Sequence, residues 1–331
     1  MNKLKTAVVG VGHLGRHHVK WLSQIAGSEL TGLYDIDRTK AIKYAQEYGV
    51  TAFESLEQLS GQAQAVSVVV PTICHFEVAS YLISQGVHCL IEKPVAVSLH
   101  EASRLQELTE EKGVKVTVGH IERFNPAVQA LRGLSVSPAF IEAHRLAAFD
   151  LRGTDVAVVL DLMIHDIDLT LMFVRSPVVD IQAAAVAVVS EQADIANARL
   201  TFANGAVANL TASRISLREM RKMRLFQKSG YYSLDLAARQ ADLYRLSGAD
   251  DSAAGMRIPL GNSGRHIVYE KRGDPTEDML KAELTSFLNS IMDDQPVAVS
   301  LEEATAALDV ALKVDRIGQQ SLARVTRTDP S

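Results

Sequence analysis

Short runs of apolar and β-branched residues alternate with longer amphipathic stretches through the first 120 residues of the 331-residue chain. The runs are KTAVVG (5–10), ELTGLYD (29–35), AVSVVVP (65–71), VHCLIEKP (87–94) and VKVTVGH (114–120). Runs of this length and composition read as buried strands. The stretches 14–26, 37–48, 75–85 and 98–112 repeat apolar positions at helical spacing and are long enough for crossover helices. That rhythm predicts a doubly wound parallel sheet covered on both faces, because parallel neighbours need a crossover between them.

After ERFNP (122–126) the pattern changes. A helical stretch at 155–173 is followed by alternating runs at 178–189, 195–202, 206–213, 221–227 and 230–236, with a turn signal at Asn204-Gly205. Consecutive strands without helices between them call for antiparallel pairing. Segment 246–276 is rich in Gly, Ser and charge, lacks a sustained period, and is expected to be a long loop or flap. Helical patterns at 277–293 and 301–320 close the chain. The expectation is an α/β chain of two domains, the parallel sheet over 1–121 and an α+β domain with a large open, mostly antiparallel sheet over 122–331.

Composition narrows the classes of partner. With 47% hydrophobic and 22% charged residues the chain has ordinary globular content. A net charge of −5 with scattered basic residues leaves no electrostatic footprint for nucleic acid. Cys74 and Cys89 make neither a disulfide framework nor a zinc site and suit a reducing compartment. The apolar run after MNKLK stops at His13, with Arg16, His17 and His18 following, and no run reaches the length of a membrane span. A cytoplasmic protein without a membrane partner is expected.

Gly10, Gly12 and Gly15 fall at G-x-G-x-x-G spacing between a strand and a helix. In that setting Gly10 makes the turn, Gly12 admits a pyrophosphate against bare backbone, and Gly15 lets helix and strand pack closely, the Rossmann arrangement. The helix start offers N–H groups to the phosphates, with His13 and Leu14 at its edge. Asp35 ends the second strand twenty residues beyond Gly15, placed to accept from the adenosine ribose. Its charge favours NAD, and nearby Arg38 keeps NADP open. Pro71, Thr72 and His75, after the fourth strand, are candidate cofactor contacts, His75 reading equally well as a helix-start residue. His17 and His18 read as surface residues of a first turn.

Lys93, in IEKP, stands at the carboxyl end of the fifth strand, where open parallel sheets bind ligands. An ammonium there can hydrogen-bond a reacting oxygen, and Pro94 would fix the approach of the chain, a cis bond included. In VVLDLMIHDIDL (158–169), Asp161 and His165 are four apart and share a helix face, so the carboxylate can orient an imidazole suited to general-base work. Asp166 and Asp168 read as capping or solvent-facing residues. A metal site built from Asp161, His165, Asp166 and Asp168 would need further histidines, which form no evident set, so no metal is expected. Glu122, Arg123 and Asn125 are candidate substrate ligands, since arginine can clasp a carboxylate or diphosphate and asparagine can read sugar hydroxyls. An interdomain salt bridge is their alternative role.

The glycine turn, VVVPTICHFEVA (68–79) and IEKP together resemble the glucose-fructose oxidoreductase, inositol dehydrogenase and rhizopine-catabolism family, Gfo/Idh/MocA, over essentially the whole chain. The resemblance implies that Lys93 lies where nicotinamide and substrate meet, and it counts Glu92 among the cofactor contacts. Asp161 and His165 match the ends of the family's aspartate-x-glycine-x-histidine pattern, with Met163 in place of the glycine. GHIERFNP and DLMIHDIDL are similar to the branch that oxidises the C3 hydroxyl of UDP-N-acetylglucosamine, while other branches act on free sugars, cyclitols or dihydrodiols. The expected activity is NAD(P)-dependent oxidation of a sugar hydroxyl whose proton leaves to His165 with help from Lys93, or to Lys93 with the roles exchanged. A homodimer or homotetramer through the second-domain sheet is expected with it. A regulatory protein that binds NAD without turnover would share the glycine turn and Asp35 but would not need Lys93, Asp161 and His165 together.

Overall fold

The computed structural model describes residues 3–148, 157–247 and 255–328. The chain divides into two compact units, Met1–Ile121 with Asp278–Leu308, and Glu122–Glu277 with Asp309–Ser331.

In the first unit β1 (Leu4–Val9), α1 (Gly15–Leu22), β2 (Ser28–Tyr34), α2 (Arg38–Tyr48), β3 (Thr51–Ala52), α3 (Leu56–Ser60), β4 (Ala65–Val68), α4 (His75–Ser84), β5 (His88–Glu92), α5 (Leu99–Lys112) and β6 (Val116–Gly119) follow one another. The strands form one parallel sheet in the order β3-β2-β1-β4-β5-β6. The order reverses between β1 and β4, where a crevice opens beyond the strand ends. Local chemistry sets the helix ends. Asp37 caps α2 and Ser98 caps α5 by accepting from backbone N–H groups, while Gly49 and Gly113 end these helices in the left-handed conformation. By contrast α1 has no side-chain cap.

In the second unit α6 (Pro126–Gln129) and β7 (Phe140–Leu146) precede a π-helical turn, Val159–Met163, that runs into α7 (Ile164–Val174). Then come β8 (Val178–Val186), β9 (Ile195–Phe202), β10 (Val207–Ser213), β11 (Met220–Gln227), β12 (Gly230–Asp235), β13 (Gln240–Ser247), β14 (Met256–Pro259) and β15 (His266–Arg272). They form a nine-stranded sheet in the order β14-β15-β13-β12-β11-β7-β10-β9-β8, in which β7 and β10 pair in parallel and the other pairings are antiparallel. One face buries Ile141, Ala143, Leu210, Leu225, Leu234 and Leu243.

The strand assignments depart from the sequence reading at β7, at β13, for which no run was expected at 240–245, and within 246–276. The central strand β7 was not expected, because its buried face carries the charge of Arg145 and so breaks the apolar alternation. Segment 246–276 is not a loop throughout: it holds the end of β13, then β14 and β15. Residues 248–254 lie outside the described residues. β14 is exposed along its four residues and ends at Pro259, an edge strand too short for its alternation to stand out in sequence.

Two helices close the chain, α8 (Met279–Met292) and α9 (Leu301–Thr328). The sequence reading places all of 122–331 in one domain, whereas α8 belongs to the first unit. Its Leu280, Leu284, Phe287 and Leu288 are buried in one cluster with Val8, Val19, Leu22 and Leu33. These positions repeat at i, i+4, i+7 and i+8, the stripe of a helix that buries one side. Among the described residues no helix is long and apolar enough to cross a membrane.

Candidate active site

The glycine turn leaves β1 at the reversal point of the first sheet. Gly10 has φ +88°, and a Cβ there would lie 2.4 Å from the Val69 carbonyl oxygen. A Cβ on Gly15 would lie 1.9 Å from the Gly10 carbonyl oxygen, so no larger residue fits either position. At Gly12 a Cβ would meet nothing within 4 Å, which leaves its backbone open to a ligand. Leu14 and His13 are exposed beside it, and the Arg16 guanidinium donates to the His13 carbonyl at 3.1 Å. Asp35 closes the turn: its Oδ2 accepts from the Val11 N–H at 2.7 Å and its Oδ1 from the Asp37 N–H at 2.8 Å. An uncapped helix start, bare backbone at Gly12 and a carboxylate at the end of β2 form a donor and acceptor set that fits a dinucleotide.

The loops after β4 and β5 carry the next group. Pro71 is exposed and Thr72 half-buried. His75, a candidate cofactor contact or helix-start residue in the sequence, is buried at the start of α4. Its Nδ1 lies 2.9 Å from the Pro94 carbonyl and its Nε2 2.9 Å from the Val70 carbonyl. Burial lowers its pKa below the usual imidazole value. Lys93 is half-buried and the Lys93–Pro94 peptide is cis. Glu92 is buried, and its carboxylate meets His18 and the Lys93 N–H. His18 itself is fully buried, contrary to its reading as a surface residue.

In the second unit Asp161 lies in the π-helical turn and His165 at the start of α7, both half-buried. One-turn π segments often mark functional sites. Asp166 and Asp168 do not face solvent; both are buried in ion pairs. The Arg123 guanidinium donates to Asp168 at 2.7 and 2.9 Å. Arg145 grips Asp166 at 2.9 and 3.0 Å and Glu122 at 2.8 Å. Burial works against the Arg145 charge, and Asp166 and Glu122 more than offset it, holding the guanidinium above its ordinary range. Asn125 spends one amide hydrogen on Glu122 at 2.8 Å and the other on the Leu236 carbonyl at 2.9 Å, and its oxygen caps α6 through the Ala127 N–H. Glu122, Arg123 and Asn125, candidate substrate ligands in the sequence, are parts of a buried network that holds α7 through Asp166 and Asp168, just after His165. The same pairs remove Asp166 and Asp168 from any metal-ligand set.

The sequence reading missed Ile36, which is 94% exposed directly after Asp35. It also missed Glu283, buried in α8. An apolar residue between two acids was the available signal for the first; a distant helix returning to the first unit left none for the second.

Comparison with known proteins bears on both units. The model of an oxidoreductase family with an NAD-binding Rossmann fold matches residues 4–120, and the model of the GFO/IDH/MocA C-terminal domain matches residues 145–233. The chain belongs to the Gfo/Idh/MocA oxidoreductase family. It is 39% identical to the UDP-N-acetylglucosamine 3-dehydrogenase of Acidithiobacillus ferrooxidans over 95% of this chain and 97% of that protein. A solved structure of that dehydrogenase superposes with a TM-score of 0.87 at 37% identity, covering 97% of this chain and 99% of the other. The scyllo-inositol dehydrogenase of Lactobacillus casei, solved with NAD(H) and scyllo-inositol, shares the fold at 17% identity, with a TM-score of 0.77 and 98% of each chain covered. This family member is an NAD(P)-dependent dehydrogenase acting on CH–OH groups.

Proposed function

We propose that the enzyme oxidises a sugar hydroxyl of a nucleotide sugar with NAD, the C3 hydroxyl of UDP-N-acetylglucosamine being the first choice. The likeness to the dehydrogenase of that substrate, which runs nearly the full length of both chains, carries this reading. Gly10, Gly12, His13, Leu14 and Gly15 would hold the pyrophosphate at the start of α1 and Asp35 the adenosine ribose. Ile36 offers apolar surface to the adenine, and Pro71 and Thr72 flank the nicotinamide. Bound there, the cofactor supplies the hydride acceptor. Lys93 hydrogen-bonds the reacting hydroxyl and stabilises the charge that grows on its oxygen, His165 takes the proton, and Asp161 orients the imidazole.

NAD is favoured over NADP because Arg38, the cation nearest Asp35 in sequence, is engaged elsewhere. It donates to the Ala52 and Phe53 carbonyls at 2.9 and 2.6 Å and pairs with Glu54. Asp35 and Asp37 would repel a 2′-phosphate.

Nicotinamide absorbance, followed with UDP-N-acetylglucosamine beside free sugars and cyclitols and with both cofactors, tests the reading. Turnover of the nucleotide sugar with NAD is expected, and turnover confined to free sugars or cyclitols overturns the substrate. Lys93→Met and His165→Asn should each lower kcat by about a hundredfold or more while NAD still binds. If both variants keep their rate, these residues are not the acid–base pair. A homodimer or homotetramer through the open face of the nine-stranded sheet is proposed with this function.

A further inference from the structure

Beneath the Glu-Lys-Pro turn the first unit buries ionisable groups to which the reaction gives no part. His18, in α1, turns inward, and its Nε2 lies 3.1 Å from Glu92 Oε1. Glu92 Oε2 accepts from the Lys93 backbone N–H at 3.3 Å. Gly119, at the end of β6, makes room for this carboxylate, since a Cβ there would lie 2.9 Å from its carbon. Glu283, in α8, is 2% exposed, and neither of its carboxyl oxygens has a hydrogen-bond partner among the described residues; nor has His18 Nδ1.

These contacts fix the protonation pattern. With no acceptor near it, His18 Nδ1 is best left as a bare lone pair, so Nε2 carries the hydrogen and donates to Glu92. Glu92 thus receives two donors, whereas Glu283 receives none. Burial, with the Glu92 charge beside it, pushes the Glu283 carboxyl well above the usual carboxylate range. His75 from α4 also acts on Glu92, its pKa lowered by burial, and Lys93 adjoins it in sequence.

We propose that His18, Glu92 and Glu283 are a positioning set for Lys93: Glu92 carries the charge and, gripped by His18, anchors the Lys93 amide, while Glu283 stays a neutral acid so that no second charge dislodges the anchor. The helix that starts at the glycine turn and the turn that carries Lys93 then share one support. The part concerning Lys93 rests on the function proposed above; the neutrality of Glu283 stands apart from it.

Stability against pH tests the neutral acid in the full chain. Glu283 holds its proton more tightly folded than unfolded, so the folded protein loses stability as pH rises above the ordinary carboxyl value, and the loss levels off above the raised one. Glu283→Gln removes this loss, and its advantage in thermal midpoint should be larger at about pH 8 than at about pH 4 by several degrees. An advantage that does not change with pH overturns the neutral acid. Steady-state kinetics test the anchor. His18→Phe keeps the bulk but removes the donor and should lower kcat about tenfold or more with a smaller change in KM for NAD, and His18→Gln, which restores a donor, should recover most of the rate. Gly119→Ala, which crowds Glu92 from β6, should reproduce the loss. If Lys93→Met is inactive while His18→Phe and Gly119→Ala keep full kcat, the anchor fails and the catalytic reading survives; if Lys93→Met still turns over, the catalytic reading itself fails.

Discussion

Asp35 accepts from Val11 and Asp37 through different oxygens, which leaves each oxygen a further lone pair for the ribose hydroxyls. Asp35→Ala should weaken NAD binding by about ten- to a hundredfold, the worth of charge-assisted hydrogen bonds, and weaken NADP much less. Titration calorimetry with both cofactors reads the ratio, and an unchanged preference would remove Asp35 from the cofactor contacts. At this scale Gly10 and Gly15 were legible, because backbone geometry dictates their identity. The roles of neighbouring polar residues were not. His17 and His18 are adjacent in sequence, yet Gly15, His18, Val19 and Leu22 form the buried side of α1. Their i, i+3, i+4, i+7 spacing was the signal that His18 points inward, and a histidine in that stripe reads as a breach of it.

Within the elements, one carboxylate organises the connection between β8 and β9. Asp194 Oδ2 accepts from the Val188, Val189 and Ser190 N–H groups at 2.7, 2.7 and 3.0 Å, and Oδ1 from the Ser190 hydroxyl at 2.7 Å. Burial opposes this charge, but the hydroxyl and the three amides outweigh it and hold the carboxyl at about 2. The folded-state value is depressed, so the stability it contributes is complete above the ordinary aspartate value and fades as pH falls towards about 2. Asp194→Ala should cost about 2 kcal/mol or more at neutral pH by urea unfolding. The gap from wild type should narrow below about pH 4, and a gap independent of pH would show that the loss comes from packing alone. Strand and helix positions were largely legible from period and caps. The exceptions are β7, β13 and β15, whose polar or charged residues interrupt the alternation, and β14, which is only four residues long; partner strands, not their own composition, make them strands.

For the molecule as a whole, assembly is the open prediction. The sheet face opposite the buried one carries a ladder of half-buried rings across five adjacent strands, Phe140, Phe226, Tyr231, Tyr244 and Tyr269, with centroids 5.6, 4.9, 5.3 and 5.1 Å apart. Such a surface suits association with a second copy. Light scattering should return a multiple of the chain mass, and Tyr231→Glu with Tyr244→Glu should reduce it to the monomer; a monomeric wild-type protein would overturn the proposal. The linear order of residues determined the alternating parallel architecture, the glycine turn with Asp35 and the candidate acid–base residues, because each depends on spacing within a few turns of chain. Only the tertiary structure decided that α8 returns to the first unit, that Glu122, Arg123, Asn125, Asp166 and Asp168 are spent on a buried network, and that His18 meets Glu92 while Glu283 is buried in the same unit. Those outcomes depend on which distant partner satisfies a polar group withdrawn from water, and that partner is chosen by packing, which local periodicity does not encode.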